Sequence, residues 1–196
     1  MNTPLIWTIA IGAIASLSVA SLAEVKLDET ENLRCISSEA PPDPAVGTFP
    51  NSGNPHSFRA QTIRYCMPKN PVKGNTASTK ARTVGIAING IPMRPGTADF
   101  YDASSPRGHS RDASSGWRLD GLGAAETLGM DAENAHVDNR GLYHYHGVAP
   151  SLAARDGSLI GYAADGFEIH YIGSKARSSW QLKSGQRPTA PGGAYD

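Results

Sequence analysis

The chain has 196 residues, with 18 basic and 18 acidic side chains and no formal net charge at pH 7. That balance, with no basic run, argues against nucleic acid or an anionic membrane surface as an obligate partner. With 21 glycines and 14 prolines, no long helical periodicity survives, and short strands joined by many turns are predicted.

Met1 to Ala23 carries no Asp, Glu, Lys or Arg, and Leu5 to Val19 is largely apolar. Residues 1–23 therefore read as a secretory signal, cleaved after Ser21-Leu22-Ala23, with Ala20 as the alternative site. Its only positive charge is the α-amino group, so an uncleaved anchor of about 20 residues, long enough to span a bilayer, is the competing reading. Export to the periplasm or the extracellular space is expected, with no obligate membrane partner after cleavage. Residues 24–196 suit one domain, able to bury a core without extra staples.

Cys35 and Cys66 are the only cysteines. Behind an export signal they are most simply a disulfide, which closes a loop of about 30 residues and contributes roughly 3 to 4 kcal/mol on the chain-entropy model. No Cys-x-x-Cys spacing supports the weaker option of metal ligation. Between them, Ala40 to Pro55 holds five prolines and is predicted to be an irregular covering segment. His56 at its end reads as a loop histidine.

An internal echo follows. Gly85-Ile86-Ala87-Ile88-Asn89-Gly90-Ile91-Pro92-Met93 and Gly161-Tyr162-Ala163-Ala164-Asp165-Gly166-Phe167-Glu168-Ile169 share Gly-x-Ala-x-(Asn/Asp)-Gly-apolar-x-apolar. Asn-Gly or Asp-Gly between apolar runs predicts tight β-hairpins, the type I′ turn needing positive φ at both central residues. Asp165 has two readings. It is either a carboxylate beside the histidines described next, orienting an imidazole through its N–H, or turn chemistry alone.

Between the copies, Tyr101 to Gly116 is rich in Asp, Ser, Arg and Gly and is predicted to be a surface loop, with His109 a weak fourth-ligand candidate. Leu119 to Asn134 is the one stretch able to form a short helix, kept marginal by Gly121, Gly123 and Gly129, and it would deliver His136. Then comes Ala135-His136-Val137-Asp138-Asn139-Arg140-Gly141-Leu142-Tyr143-His144-Tyr145-His146-Gly147, holding three of the six histidines. In a strand Tyr143 and Tyr145 share one face and His144 and His146 the other. Asp138, Asn139 and Gly141 are turn formers, so the chain can double back and bring His136 beside that pair. Three neutral imidazoles suit zinc or copper, and three histidines with one open position is an arrangement of catalytic zinc. The plainer alternative is a half-buried strand whose aromatics pack inward and whose histidines are solvated. Ser174 to Asp196 is polar, with Trp180 its only large anchor.

Asn134-Ala135-His136-Val137, Gly141-Leu142-Tyr143-His144-Tyr145-His146-Gly147 and Ile160 to Phe167 together resemble the YHYH-domain family of secreted bacterial proteins. Phe49 to Pro55 and Gly85 to Pro92 are similar to further segments of that family, so most of the mature chain is covered. The family is named for its motif, and the resemblance implies no particular activity. The similar members read Asp-Gly-Phe-Pro-Ile where this chain has Asp165-Gly166-Phe167-Glu168-Ile169. They also continue past a segment like Gly192 to Asp196, which makes a truncated member the expectation.

The predicted architecture is a mainly β (β-rich α+β) single domain of short strands and hairpins, sandwich- or barrel-like, with a transition metal on His136, His144 and His146. As an enzyme it would use metal-bound water for hydrolysis or hydration, or copper for redox chemistry. As a non-catalytic envelope module its histidines would hold no catalytic metal.

Overall fold

The computed structural model describes residues 24–40, 46–75, 83–153, 157–178 and 181–194. The leader over residues 1–23 and the anchor Trp180 lie outside the described residues. Strands dominate, and the one helical element among the described residues is a 3-10 turn, Gly173–Lys175.

The first sheet is antiparallel, in the order β1 (Val25–Glu29), β2 (Leu33–Ala40), β3 (Gln61–Pro68). Cys35 and Cys66 are register partners in β2 and β3, and they form the predicted disulfide. The central sheet has six strands: β4 (Gly85–Ala87), β5 (Pro92–Met93), β9 (Ala135–Val137), β10 (Tyr143–Tyr145), β11 (Ser158–Ala163) and β12 (Glu168–Tyr171). Their spatial order is β12-β11-β4-β5-β10-β9. A small third sheet sets β6 (Gly96–Tyr101) between β7 (His109–Ser110) and β8 (Arg118–Asp120). The mainly β expectation holds, with open sheets and no closed barrel.

The sequence echo has a spatial counterpart. β4 and β11 pair antiparallel, Gly85 with Ala163 and Ala87 with Gly161, so the two hairpins lie back to back about the Ile86–Tyr162 pair. Their turns repeat the same bonds: Gly90 N–H to Ala87 O and Ala87 N–H to Ile91 O, then Gly166 N–H to Ala163 O and Ala163 N–H to Phe167 O. Both turns differ from the predicted type I′. Positive φ falls only on the glycines, 79° at Gly90 and 94° at Gly166, while Asn89 and Asp165 stay outside the left-handed region. Each loop thus has one left-handed residue, which glycine supplies without steric cost. The strands also approach closely at the seam. A Cβ on Gly85 would lie 2.5 Å from Tyr162 O, and one on Gly161 would lie 2.5 Å from Ile86 O.

The central sheet has two different faces. On one, Tyr143, Tyr145, Val137, Ala135, Ala87 and Ile91 form a buried cluster against which Val46, Phe49 and Phe58 pack. The irregular segment between the cysteines therefore covers this face, as predicted, and Asn54 fixes it by donating to Val137 O at 2.8 Å. On the other face, Ile86 and Tyr162 pack against Ile36 and Met67 of the first sheet. That sheet-on-sheet contact occupies the β11–β4 end. The histidines lie on the same face at the β10–β9 end, because Pro92, the partner of Ile86, alternates with Met93, the partner of Tyr145.

Two sequence expectations are corrected. Residues 119–134 form no helix: β8 ends at Asp120, and a run of turns follows through Gly129, whose φ is 62°. The glycines give up too much helix propensity there, and the turn bonds mix spacings, as in Ala125 N–H to Leu122 O beside Leu128 N–H to Ala124 O. Residues 101–116 are likewise not wholly a surface loop. They close β6, contain β7, and bury His109 to 2% exposure. In the polar C-terminal stretch, Thr189 accepts the Trp117 indole N–H at 2.7 Å, and Arg187 lies over the Trp117 ring.

Candidate metal centre

The site is built on one hairpin. β9 and β10 pair antiparallel with His136 directly opposite His144. The chain reverses between them at the predicted turn residues, where Asp138 Oδ1 accepts the N–H groups of Arg140 (2.8 Å) and Leu142 (3.1 Å). Alternation along β10 then divides the side chains as expected. Tyr143 and Tyr145 enter the apolar cluster, and His144 turns to the opposite face with His136. His146, one residue past the strand, closes the group.

The three Nε2 atoms converge. His146 Nε2 lies 3.1 Å from His136 Nε2 and 3.0 Å from His144 Nε2. Every Nδ1 points instead at a backbone carbonyl: His136 at Leu128 O (2.8 Å), His144 at Leu142 O (3.1 Å) and His146 at Pro95 O (3.4 Å). A carbonyl can only accept, so each Nδ1 carries the proton and each Nε2 presents a lone pair. Three lone pairs at this separation repel unless a cation lies among them. The run of turns after β8 does help to place His136, by supplying the Leu128 carbonyl. Gly121 makes room for His146, since a Cβ there would lie 2.7 Å from its Nδ1.

The electrostatics keep the three imidazoles neutral. Burial lowers the His144 pKa to about 3, helped by the Arg94 charge and by His136. Burial, then His136, lowers His146 to about 4, and burial lowers His136 as well. Neutral imidazole is the form that binds a metal. The donor set fits zinc or copper, and four-coordinate zinc with bonds near 2.0–2.1 Å spaces its nitrogens by roughly 3.3 Å. An apolar recess of about 190 Å³ adjoins the site, lined in part by Met93, Tyr145, His146, Leu152 and Ile160.

A model of the YHYH protein family matches residues 64–196. The chain belongs to the YHYH family. The match spans β9, β10 and both hairpins, so the motif for which the family is named is the strand that carries His144. Neither curated proteins nor solved structures gave a match.

The other sequence candidates lie elsewhere. Asp165 stands exposed at the tip of the β11–β12 hairpin, and the partners that orient the imidazoles are the three carbonyls. His109 is outside the cluster; both its ring nitrogens are buried without a hydrogen bond, and Nδ1 is 3.9 Å from the Asp99 carboxylate. His56 lies in the covering segment. Sequence reading placed Asp138 in the turn but missed Arg94 and the ion pair the two form at 2.8 Å on the histidine side. The available signal was Arg94 placed one residue beyond Met93, at the alternation that faces His144 and His146.

Proposed function

We propose that this domain is an exported metal-binding protein whose His136, His144 and His146 hold one zinc or copper ion, leaving a position open for water or substrate. The observation that carries the reading is the shared geometry: each Nδ1 lies against a carbonyl that can only accept its proton, and the ligand atoms of the three rings all lie within 4.8 Å of one another. A solvated strand histidine needs no such arrangement. A zinc ion held by His136, His144 and His146 would supply Lewis-acid activation of water for hydrolysis or hydration. The protein's part is to hold the imidazoles neutral and oriented and to keep the adjoining recess apolar. Metal analysis of protein purified without a His tag tests this directly. About one ion per chain is expected for a single three-imidazole site, and metal-free protein at neutral pH overturns the reading.

Export rests on the apolar leader sequence and on Cys35–Cys66, a bond that persists in oxidising compartments. Non-reducing mass spectrometry is expected to find a mature chain starting near Glu24 with no alkylatable thiol. An intact N-terminus supports the anchor instead.

A further inference from the structure

Arg94 belongs to the histidine face. β5 runs parallel to β10 with Met93 opposite Tyr145, and the Arg94 N–H donates to Tyr145 O at 2.8 Å. Met93 packs with the tyrosine cluster, so the next side chain turns to the other side of the sheet. Asp138 follows the core residue Val137 by the same alternation. Because β5 and β9 flank β10, the Arg94–Asp138 ion pair reaches across the strand that carries His144.

The pair is not a saturated one. Arg94 meets Asp138 Oδ2 through Nη1 alone, while Asp138 Oδ1 is taken by the turn N–H groups of Arg140 and Leu142. Nε and Nη2 thus make no hydrogen bond or ion pair among the described residues, and the side chain keeps 20% exposure. A guanidinium offers donors in a planar fork suited to oxyanions. With the Arg94 charge offset by Asp138, a divalent ion held by three neutral imidazoles keeps its full charge, and an anion is the ligand that neutralises it.

We propose that Arg94 and the three-histidine centre form one composite site for an oxyanion, a carboxylate or phosphate oxygen of the substrate, which takes the open position and accepts hydrogen bonds from the free edge of the guanidinium. This rests on the metal reading above. It makes the substrate class anionic.

The test uses full-length untagged protein loaded with Co²⁺, whose visible spectrum reports a change at the fourth ligand, titrated separately with acetate, inorganic phosphate and chloride. Acetate or phosphate is expected to shift the spectrum at lower concentration than chloride, and the more effective of the two identifies the source of the oxyanion. Arg94→Gln is expected to weaken oxyanion affinity about tenfold or more with cobalt stoichiometry unchanged, as loss of a charge-assisted bond requires. Asp138→Asn retains Oδ1 for the turn and releases the guanidinium, so it is expected to preserve or strengthen oxyanion binding. If Arg94 only fastens the β9–β10 turn, both variants behave alike, and that result overturns the proposal. So does oxyanion affinity in Arg94→Gln within twofold of wild type, or a wild-type spectrum that no oxyanion moves. Failure of wild type to bind cobalt removes the metal reading and this proposal together, whereas cobalt bound without an anion response removes this proposal alone.

Discussion

The two faces of the β9–β10 hairpin use the same backbone alternation and end in opposite chemistry. On the tyrosine face each polar tip has a partner: the Tyr143 hydroxyl donates to Asp131 Oδ2 at 2.6 Å, and the Asn89 amide donates to the Tyr145 hydroxyl at 2.9 Å. On the histidine face the polar tips meet one another, and the bonds that satisfy the rings lie on their far sides. The first face is complete as protein. The second could hold a metal ion among its three histidines, and that open capacity distinguishes it from a packed strand.

The largest expected effect breaks this contrast on one side only. His144→Ala removes a ligand that is 3% exposed and directly opposite His136, so metal content is expected to fall from about one ion per chain to near zero. Tyr143→Phe, one residue away, is expected to keep the metal and lose about 1 kcal/mol of stability, because the half-buried Asp131 Oδ2 keeps only the Gly47 N–H as donor. Elemental analysis and denaturant unfolding of both variants check the pair. Unchanged metal in His144→Ala would place the ligands elsewhere.

Acid distinguishes the faces next. The folded apo-protein holds His144 near 3 and His146 near 4, against about 6.5 in an unfolded chain. Below about pH 6.5 the unfolded state therefore binds protons that the folded site refuses. Stability is expected to fall from pH 7 toward pH 5, by up to about 1.4 kcal/mol per pH unit for each such group, before the carboxylates titrate. His170 works in the opposite sense, since its Glu168 partner raises its pKa, but it is fully exposed and screened. The thermal midpoint of apo wild type is expected to decline over this range more steeply than that of apo His144→Ala. Equal slopes would mean that these imidazoles are not held neutral by burial.

The histidine cluster was legible because its signal is periodic: Tyr-His-Tyr-His fixes which side chains share a face, and Asp138 with Gly141 marks the reversal that returns His136. Both hairpins were legible for similar local reasons, and the disulfide because the chain has only two cysteines to pair. The orienting groups were not, since Leu128, Leu142 and Pro95 act through carbonyls that every residue possesses. Nor was the burial of His109, because β6 to β8 are short strands set among turn-forming residues, whose pairing depends on long-range contacts. The 119–134 helix failed on glycine, the reservation already present in its sequence. Asp165 shows the limit of motif reading, since Asp-Gly serves turns and sites equally well.

The smallest expected effect compares the two hairpins, whose turns share bonds and glycine conformation but not surroundings. Asp165 is exposed at its tip, so Asp165→Asn is expected to change stability by less than about 0.5 kcal/mol and to leave metal binding unaltered, as surface turn exchanges do. Asn89 occupies the equivalent position, yet its amide reaches the Tyr145 hydroxyl in the half-buried gap beside the tyrosine cluster. Asn89→Asp replaces that donor with a carboxylate, which must be desolvated and forces the hydroxyl to donate in return. A loss of about 1 kcal/mol is expected for Asn89→Asp, measured by denaturant unfolding of the apo-proteins so that metal does not mask it. Equal effects of the two exchanges would show that the turns are interchangeable and that Asn89 contributes nothing to the tyrosine face. A larger effect at Asn89 with metal stoichiometry intact locates the difference between the hairpins in what their turns touch.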